Sequence, residues 1–163
     1  MSTPIEIALQ EMLTKEIPGA QANNRVLEYF KAADNPWVKS DETAWCAAFV
    51  AYCLEKAGFF STNKLNARSY LAWGQATTTP VTGDIVVFWR GAKNGWEGHV
   101  GFFISEEGDN IKVLGGNQGN SVSVALYPKA QLLGYRKVET KPTLNKEAIY
   151  KMLDDLRKAI EAI

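Results

Sequence analysis

The sequence holds one histidine and two cysteines in 163 residues, and its charges cancel, with 18 Lys plus Arg against 18 Asp plus Glu. A lone histidine with Cys46 and Cys53 matches no zinc-ligand spacing, so neither a structural metal nor another cofactor is expected. Balanced charge provides no field to draw the chain onto a phosphate backbone or an anionic surface, which disfavours nucleic acid as a partner. Long apolar runs are also missing. The longest, Ala44 to Leu54, has 11 residues, well short of the roughly 20 that cross a bilayer, so no membrane span is expected. Met1 to Glu6 carries neither the basic stretch nor the apolar run of a signal peptide. The expectation is a protein made in the cytoplasm that reaches any outside target after release or export. Disulfides are lacking too: on one helix, cysteines seven positions apart stand about 10.5 Å from each other, beyond the roughly 7 Å Cα limit for a bridge.

The chain nevertheless has a core to build. Hydrophobic residues make up 46% and charged residues 22%, and the length suits one domain. Thr3-Pro4-Ile5-Glu6 has the form of a capping box with proline at the first helical position, and Ile5, Ala8, Leu9 and Met12 follow at helical spacing. This predicts a helix over 4–15. Further helices are predicted over 24–33, from an Asp41 or Thr43 cap to Ala57, and over 66–73. After Pro80 the pattern changes to short β-rich runs at 84–89, 99–105, 111–114, 121–126 and 134–138, with connections short enough for an antiparallel meander. Beyond Lys141-Pro142, Ile149, Met152, Leu153, Leu156 and Ile160 form one stripe of a helix over 143–163. Its polar face pairs Glu147 with Lys151 and Asp154 with Lys158 at i,i+4. The fold class is therefore α+β: helices, a sheet of about five strands, and a terminal helix expected to pack back on the domain.

Cys46 falls in the first turns of the third helix, where the macrodipole and free N–H groups lower a thiol pKa and stabilise an oxyanion. Free cysteines are as a rule buried core residues, and Cys53, among Phe49, Val50 and Leu54, reads as one. His99 opens a strand between Gly98 and Gly101, with room for a ligand to approach. A lone histidine is commonly an ordinary hydrogen-bonded residue. Its significance lies in pairing with an upstream thiol, since imidazole takes the thiol proton in a Cys–His dyad. Asn117, in Gly115-Gly116-Asn117-Gln118-Gly119-Asn120, stands at the end of the next strand. Its amide oxygen is expected to accept the Nδ1 proton of His99, although such a run is also ordinary turn chemistry.

The blocks DETAWCAAFVAYCL (41–54), NARSYLAWG (66–74), GDIVVF (83–88), GHVGF (98–102) and GGNQ (115–118) together resemble, in the same order, those of the NlpC/P60–CHAP superfamily of papain-like peptidoglycan cysteine peptidases and amidases. The similarity is strongest to its small phage and bacterial branch, and it covers about residues 1–138. It implies a papain-like catalytic domain over 1–140, with the third helix packed on the sheet that carries His99. It implies Cys46 as nucleophile, His99 as base and Asn117 as the orienting third member. Asp41, Trp45 and Gln118 are assigned to substrate binding, with Asp41 and Trp45 acting as cap and pocket wall. The 141–163 helix lies outside the resemblance.

The implied reaction is amide hydrolysis through a thioester on a cell-wall peptide, by a monomeric enzyme whose partner is peptidoglycan. The leading biological setting is a phage endolysin. The alternatives are an injected antibacterial amidase, which would come with an immunity protein, a catalytically silent binding module of the same fold, and an enzyme of that fold acting on another amide or thioester.

Overall fold

The computed structural model describes residues 2–139 and 146–161. The elements are α1 (Pro4–Gln10), α2 (Asn24–Ala32), α3 (Cys46–Lys56), β1 (Gln75–Thr77), β2 (Ile85–Trp89), β3 (Gly98–Glu107), β4 (Asn110–Gly115), β5 (Ser123–Pro128), β6 (Leu132–Lys137) and α4 (Lys146–Glu161). Single 3-10 turns lie at Ala67–Ala72 and Lys129–Gln131.

The capping box forms as predicted: Glu6 N–H donates to Thr3 Oγ1 at 3.4 Å, and Thr3 N–H to Glu6 Oε2 at 2.7 Å. The helix stops at Gln10 rather than 15 because the chain beyond it has better partners elsewhere. Leu13 turns into the left-handed region at φ 72°. Leu13 N–H then donates to Val122 O at 3.1 Å, Val122 N–H to Thr14 O at 2.7 Å, and Glu16 N–H to Asn120 O at 2.9 Å. Tertiary pairing overrides local helix propensity here, and it fixes residues 13–16 beside the loop that follows β4.

Helix α3 is the buried centre of the molecule, with every residue from Cys46 to Leu54 inside. It begins at Cys46 without a side-chain cap; the expected Asp41 cap is absent because that carboxylate is used elsewhere. At its other end Gly58 (φ 79°) takes the left-handed cap, and Phe59 N–H returns to Leu54 O at 2.9 Å, as predicted from Gly58. The expected fourth helix tightens to the 3-10 turn, capped by Asn66, whose side chain accepts Arg68 N–H at 2.8 Å.

The strands form one antiparallel sheet in the order β1-β6-β2-β3-β4-β5. One face packs Ile85, Val87, Val100, Phe102 and Leu114 with α3. The other holds a second cluster of Val86, Phe88, Phe103, Ile111, Val113 and Tyr135. β2 is buried on both faces, which is why it reads as a continuous apolar run. The meander holds for β2 to β5 only: β6 leaves it to pair with β2, and β1, three residues of Gln-Ala-Thr with no sequence signature, pairs with β6. Because β5 lies at one edge and β6 beside β2, their connection crosses back over the sheet, tied there by Trp89 Nε1 donating to Ala130 O at 3.3 Å.

Helix α4 carries the predicted Asp154–Lys158 ion pair at 2.7 Å. Its apolar residues are uncovered, with Ile149 44%, Leu153 56% and Ile160 62% exposed, so the expected burial of the stripe against the domain is not found. The side chains of Glu147 and Met152, and the proposed helix start at Thr143, lie outside the described residues.

Candidate active site

Cys46 is the first residue of α3, and its thiol faces its own N–H, that of Ala47 and the N–H of Val100 on β3. These dipoles favour the thiolate, as does the Arg90 charge, but burial outweighs them and pushes the thiol above its ordinary range. This corrects the expectation of a lowered pKa: the helix terminus is present, but only 7% of the residue is exposed. Cys53 is fully buried, its thiol pushed well up by burial, in keeping with a core role.

His99 sits on β3 opposite Phe88 of β2 and is completely buried. Its Nε2 lies 2.9 Å from Gln118 Oε1. The Gln118 amide nitrogen donates to Ser123 O at 2.6 Å and Val113 O at 3.3 Å. That assignment leaves Oε1 only the acceptor role, so His99 carries its proton on Nε2 and a lone pair on Nδ1. Nδ1 is buried with no hydrogen-bond partner. Burial brings the imidazole pKa down to about 4, partly opposed by the Gln118 bond and assisted by the Arg90 charge. Tyr127 stacks on the ring at 4.7 Å and 17°, and also on Phe88 at 4.9 Å and 23°.

Asn117 does not reach His99. It stands in the left-handed region at φ 55°. With its amide nitrogen toward Glu16, it donates to Glu16 Oε1 at 3.1 Å and accepts Trp45 N–H at 3.2 Å. The group on the imidazole is therefore the neighbouring Gln118, bonded to Nε2 rather than Nδ1. The two residues are consecutive, and the left-handed turn at Asn117 sends its side chain to α3 and that of Gln118 to β3. Glu16 also accepts Trp45 Nε1 at 2.8 Å, so Asn117, Glu16 and Trp45 fasten the loop after β4 to the start of α3.

Asp41 and Trp45 are 1% and 0% exposed. Asp41 Oδ2 accepts Ile17 N–H at 2.9 Å and Asn23 N–H at 2.8 Å, and Trp45 packs its ring against Tyr29 and Phe49. Both brace the nucleophile from behind and present no surface to a substrate, which corrects their assignment as substrate-binding residues. Gln118, assigned with them, is likewise buried and bonds the histidine.

The glycines before Asn117 are sterically required. A Cβ on Gly115 would stand 2.7 Å from Gln118 Oε1 and 3.4 Å from His99 Nε2, and one on Gly116 would stand 2.5 Å from Phe49 Cβ. Larger residues would displace the Gln118–His99 pair or lift the loop from α3.

Two neighbours escaped the sequence reading. Tyr127, on β5 and paired with Ile111 of β4, stacks on His99 of β3, a contact between distant segments that no local spacing reveals. Arg90, exposed just after β2, carries a charge that acts on Cys46, His99 and Tyr127. Among the described residues no group of three or more His, Cys, Asp or Glu side chains could hold a metal ion, and no helix is long and apolar enough to cross a membrane.

A search of curated proteins finds no match. Residues 38–117 match the family described as the CHAP domain, a span that starts before α3 and ends at Asn117, taking in Cys46 and His99. The match over 38–117 is consistent with the NlpC/P60–CHAP superfamily, whose CHAP domains are typically cysteine-type peptidoglycan amidases and peptidases.

Proposed function

We propose that this protein is a peptidoglycan hydrolase that cuts an amide bond of the cell-wall peptide, with Cys46 as nucleophile, His99 as base and Gln118 as the residue that orients it. The observation that carries this reading is the bond between His99 and Gln118, whose amide is itself fixed by Ser123 O and Val113 O. Gln118 holds the proton on Nε2, which leaves Nδ1 as a buried, unpartnered acceptor. The thiol at the start of α3 reaches the N–H of Val100, the next residue on the same strand.

The raised thiol and lowered imidazole describe a neutral pair at rest, so proton transfer accompanies attack. Sγ adds to the scissile carbonyl as its proton passes to Nδ1. N–H groups at the start of α3 hold the oxyanion. The C–N bond breaks as the imidazolium returns its proton to the leaving amine, giving a thioester and a free amine. Water, deprotonated by Nδ1, then hydrolyses the thioester to a carboxylic acid and restores the thiol.

The biological setting in best keeping with the sequence is a phage endolysin, monomeric and acting on the wall after release from the cytoplasm; its blocks resemble those of small lysins over residues 1–138. The test is digestion of purified sacculi with mass analysis of the released fragments. Soluble fragments with new amine and carboxyl termini are expected from the wild type and none from Cys46→Ala, and the fragment masses name the bond. Intact sacculi after prolonged digestion, or equal release by Cys46→Ala, would overturn the reading.

A further inference from the structure

His99 is shut in. It is completely buried, its unpartnered Nδ1 included, and Cys46 is only 7% exposed. The reaction proposed above passes protons between Nδ1, the leaving amine and a water molecule, so a group beside the imidazole has to move. Phe88, Gln118 and Tyr127 stand around the ring. Phe88 is fully buried on β2, a strand paired on both sides by β3 and β6. Gln118 is buried and tied to Ser123 O and Val113 O as well as to Nε2. Tyr127 differs from both: it is partly exposed, and its strand, β5, is an edge of the sheet with β4 as its neighbour.

Tyr127 also acts in the direction that the Gln118 bond leaves free. A ring held through one edge atom can tip about that bond, and a second ring lying parallel on its face stops it. The two centroids are 4.7 Å apart and the planes 17° apart. The same phenol ring lies on Phe88 at 4.9 Å and 23°. It therefore spans a cross-strand pair, which fixes it sideways. Just beyond it the backbone is fastened, with Lys129 N–H donating to Asp109 O at 2.9 Å and Trp89 Nε1 to Ala130 O at 3.3 Å. Rotation of the Tyr127 side chain alone would uncover the imidazole without unpairing β5.

We infer that Tyr127 is a positioning residue for the reaction: stacked, it keeps Nδ1 aimed and closes His99 to solvent, and it swings off the imidazole when a substrate peptide enters. This rests on the amidase reading above, which supplies the need for opening. The working part is the flat face of the ring, and the hydroxyl is dispensable.

His99 is the only histidine, so its modification by diethyl pyrocarbonate, followed by the ultraviolet absorbance of the carbethoxylated ring, reports the exposure of its free nitrogen without any substrate. At neutral pH and well below the melting temperature the wild type should react slowly. Tyr127→Ala should react about 10-fold faster or more, and Tyr127→Phe, which keeps the ring, should return to the slow rate. Tyr127→Leu keeps an apolar side chain in place but no flat face, and gives the same comparison with little packing lost. It should also react faster than Tyr127→Phe. On soluble cell-wall fragments it should lower kcat about 10-fold with KM little changed, and Tyr127→Phe should recover that loss. Leu126→Ala, next to Tyr127 on β5 and 52% exposed in the wild type, controls for a weakened strand and should react at the wild-type rate. Equal rates in the wild type, Tyr127→Ala and Tyr127→Leu would overturn the inference. So would an acceleration in Leu126→Ala as large as in Tyr127→Ala, because β5 as a whole would then be the cover. The expected pattern of modification without hydrolysis of sacculi by the wild type would sink the amidase reading and leave Tyr127 as the cover of His99.

Discussion

His99 Nε2 and Gln118 Oε1 lie 2.9 Å apart, and the direction of that bond is set from outside the pair, because both protons of the Gln118 amide are spent on Ser123 O and Val113 O. The glutamine has no freedom to flip, so the imidazole has no choice of tautomer. A carboxylate in that place would draw the imidazolium and raise the histidine pKa. A neutral amide orients the ring without charging it, which agrees with an imidazole brought down to about 4.

Replacing Gln118 with alanine should therefore lower kcat by about 10- to 100-fold with little change in KM, since the ring loses orientation and not substrate. Nitrogen NMR of the single histidine should show the Nε2–H tautomer in the wild type and a mixture in the variant. Asn117→Ala should act differently. It removes the bonds to Glu16 and Trp45 N–H and places alanine at φ 55°, so it should reduce stability by about 1–3 kcal/mol while folded protein keeps most of its activity. A loss of kcat in folded Asn117→Ala as large as in Gln118→Ala would reverse the two roles.

The thiol chemistry gives a second contrast. Because burial holds the Cys46 thiol above its ordinary range, iodoacetamide should alkylate it slowly at pH 6 and faster as pH rises through and beyond the usual thiol range, without the low-pH plateau of a thiolate–imidazolium pair. Cys53, fully buried, should stay unmodified until the protein unfolds. Cys46→Ala should fold normally and be inactive. Cys53→Ser should remain active and lose about 1–3 kcal/mol through a buried hydroxyl. An alkylation rate at Cys46 independent of pH between 5 and 8 would show a stable ion pair instead.

How far the sequence led can be judged at these same residues. Cys46 and His99 were legible because each sits where local rules place it, at a helix start and a strand start. The capping box, the Gly58 stop and the meander follow from short-range patterns in the same way. What stayed hidden depends on contacts between distant segments. The early end of α1 is decided by pairing with residues 120–122, and Tyr127 meets His99 from edge strand β5, two strands away from β3. The choice between Asn117 and Gln118 turns on one left-handed residue. Neighbours in such a turn point to opposite partners, and spacing alone does not say which of them meets the histidine. Asp41 illustrates the same limit: a good cap residue by type, it is taken by two N–H groups from the 17–23 segment.

The buried histidine also makes stability depend on pH. Its pKa is about 4 in the folded protein and about 6.5 when unfolded. Between those values the unfolded chain binds the extra proton, so stability rises with pH across that window. The contribution is complete above about pH 6.5 and lost as pH falls toward 4, by up to about 3 kcal/mol. Urea midpoints for the wild type and His99→Gln at pH 7 and pH 4.5 isolate it from carboxylate titration. The wild type should lose more stability than the variant over that interval, and equal losses would mean that His99 is not held neutral.

The terminal helix allows a prediction about the domain as a whole. The described core is complete without α4: its clusters draw only on α1 to α3, the sheet and the segments between them. Ile149, Leu153, Leu156 and Ile160 remain 44–62% exposed, and a helix with an unburied stripe adds little stability to its own chain. A chain ending at Glu139 should thus melt within about 2 °C of the full-length protein, where loss of even 1 kcal/mol would lower Tm by roughly 2–8 °C. It should also keep its activity on sacculi, because every residue of the Cys46, His99 and Gln118 arrangement lies before that point. It should be the more soluble of the two, having shed an exposed apolar face. A drop of more than 5 °C on truncation would show that the stripe is packed against the domain in solution.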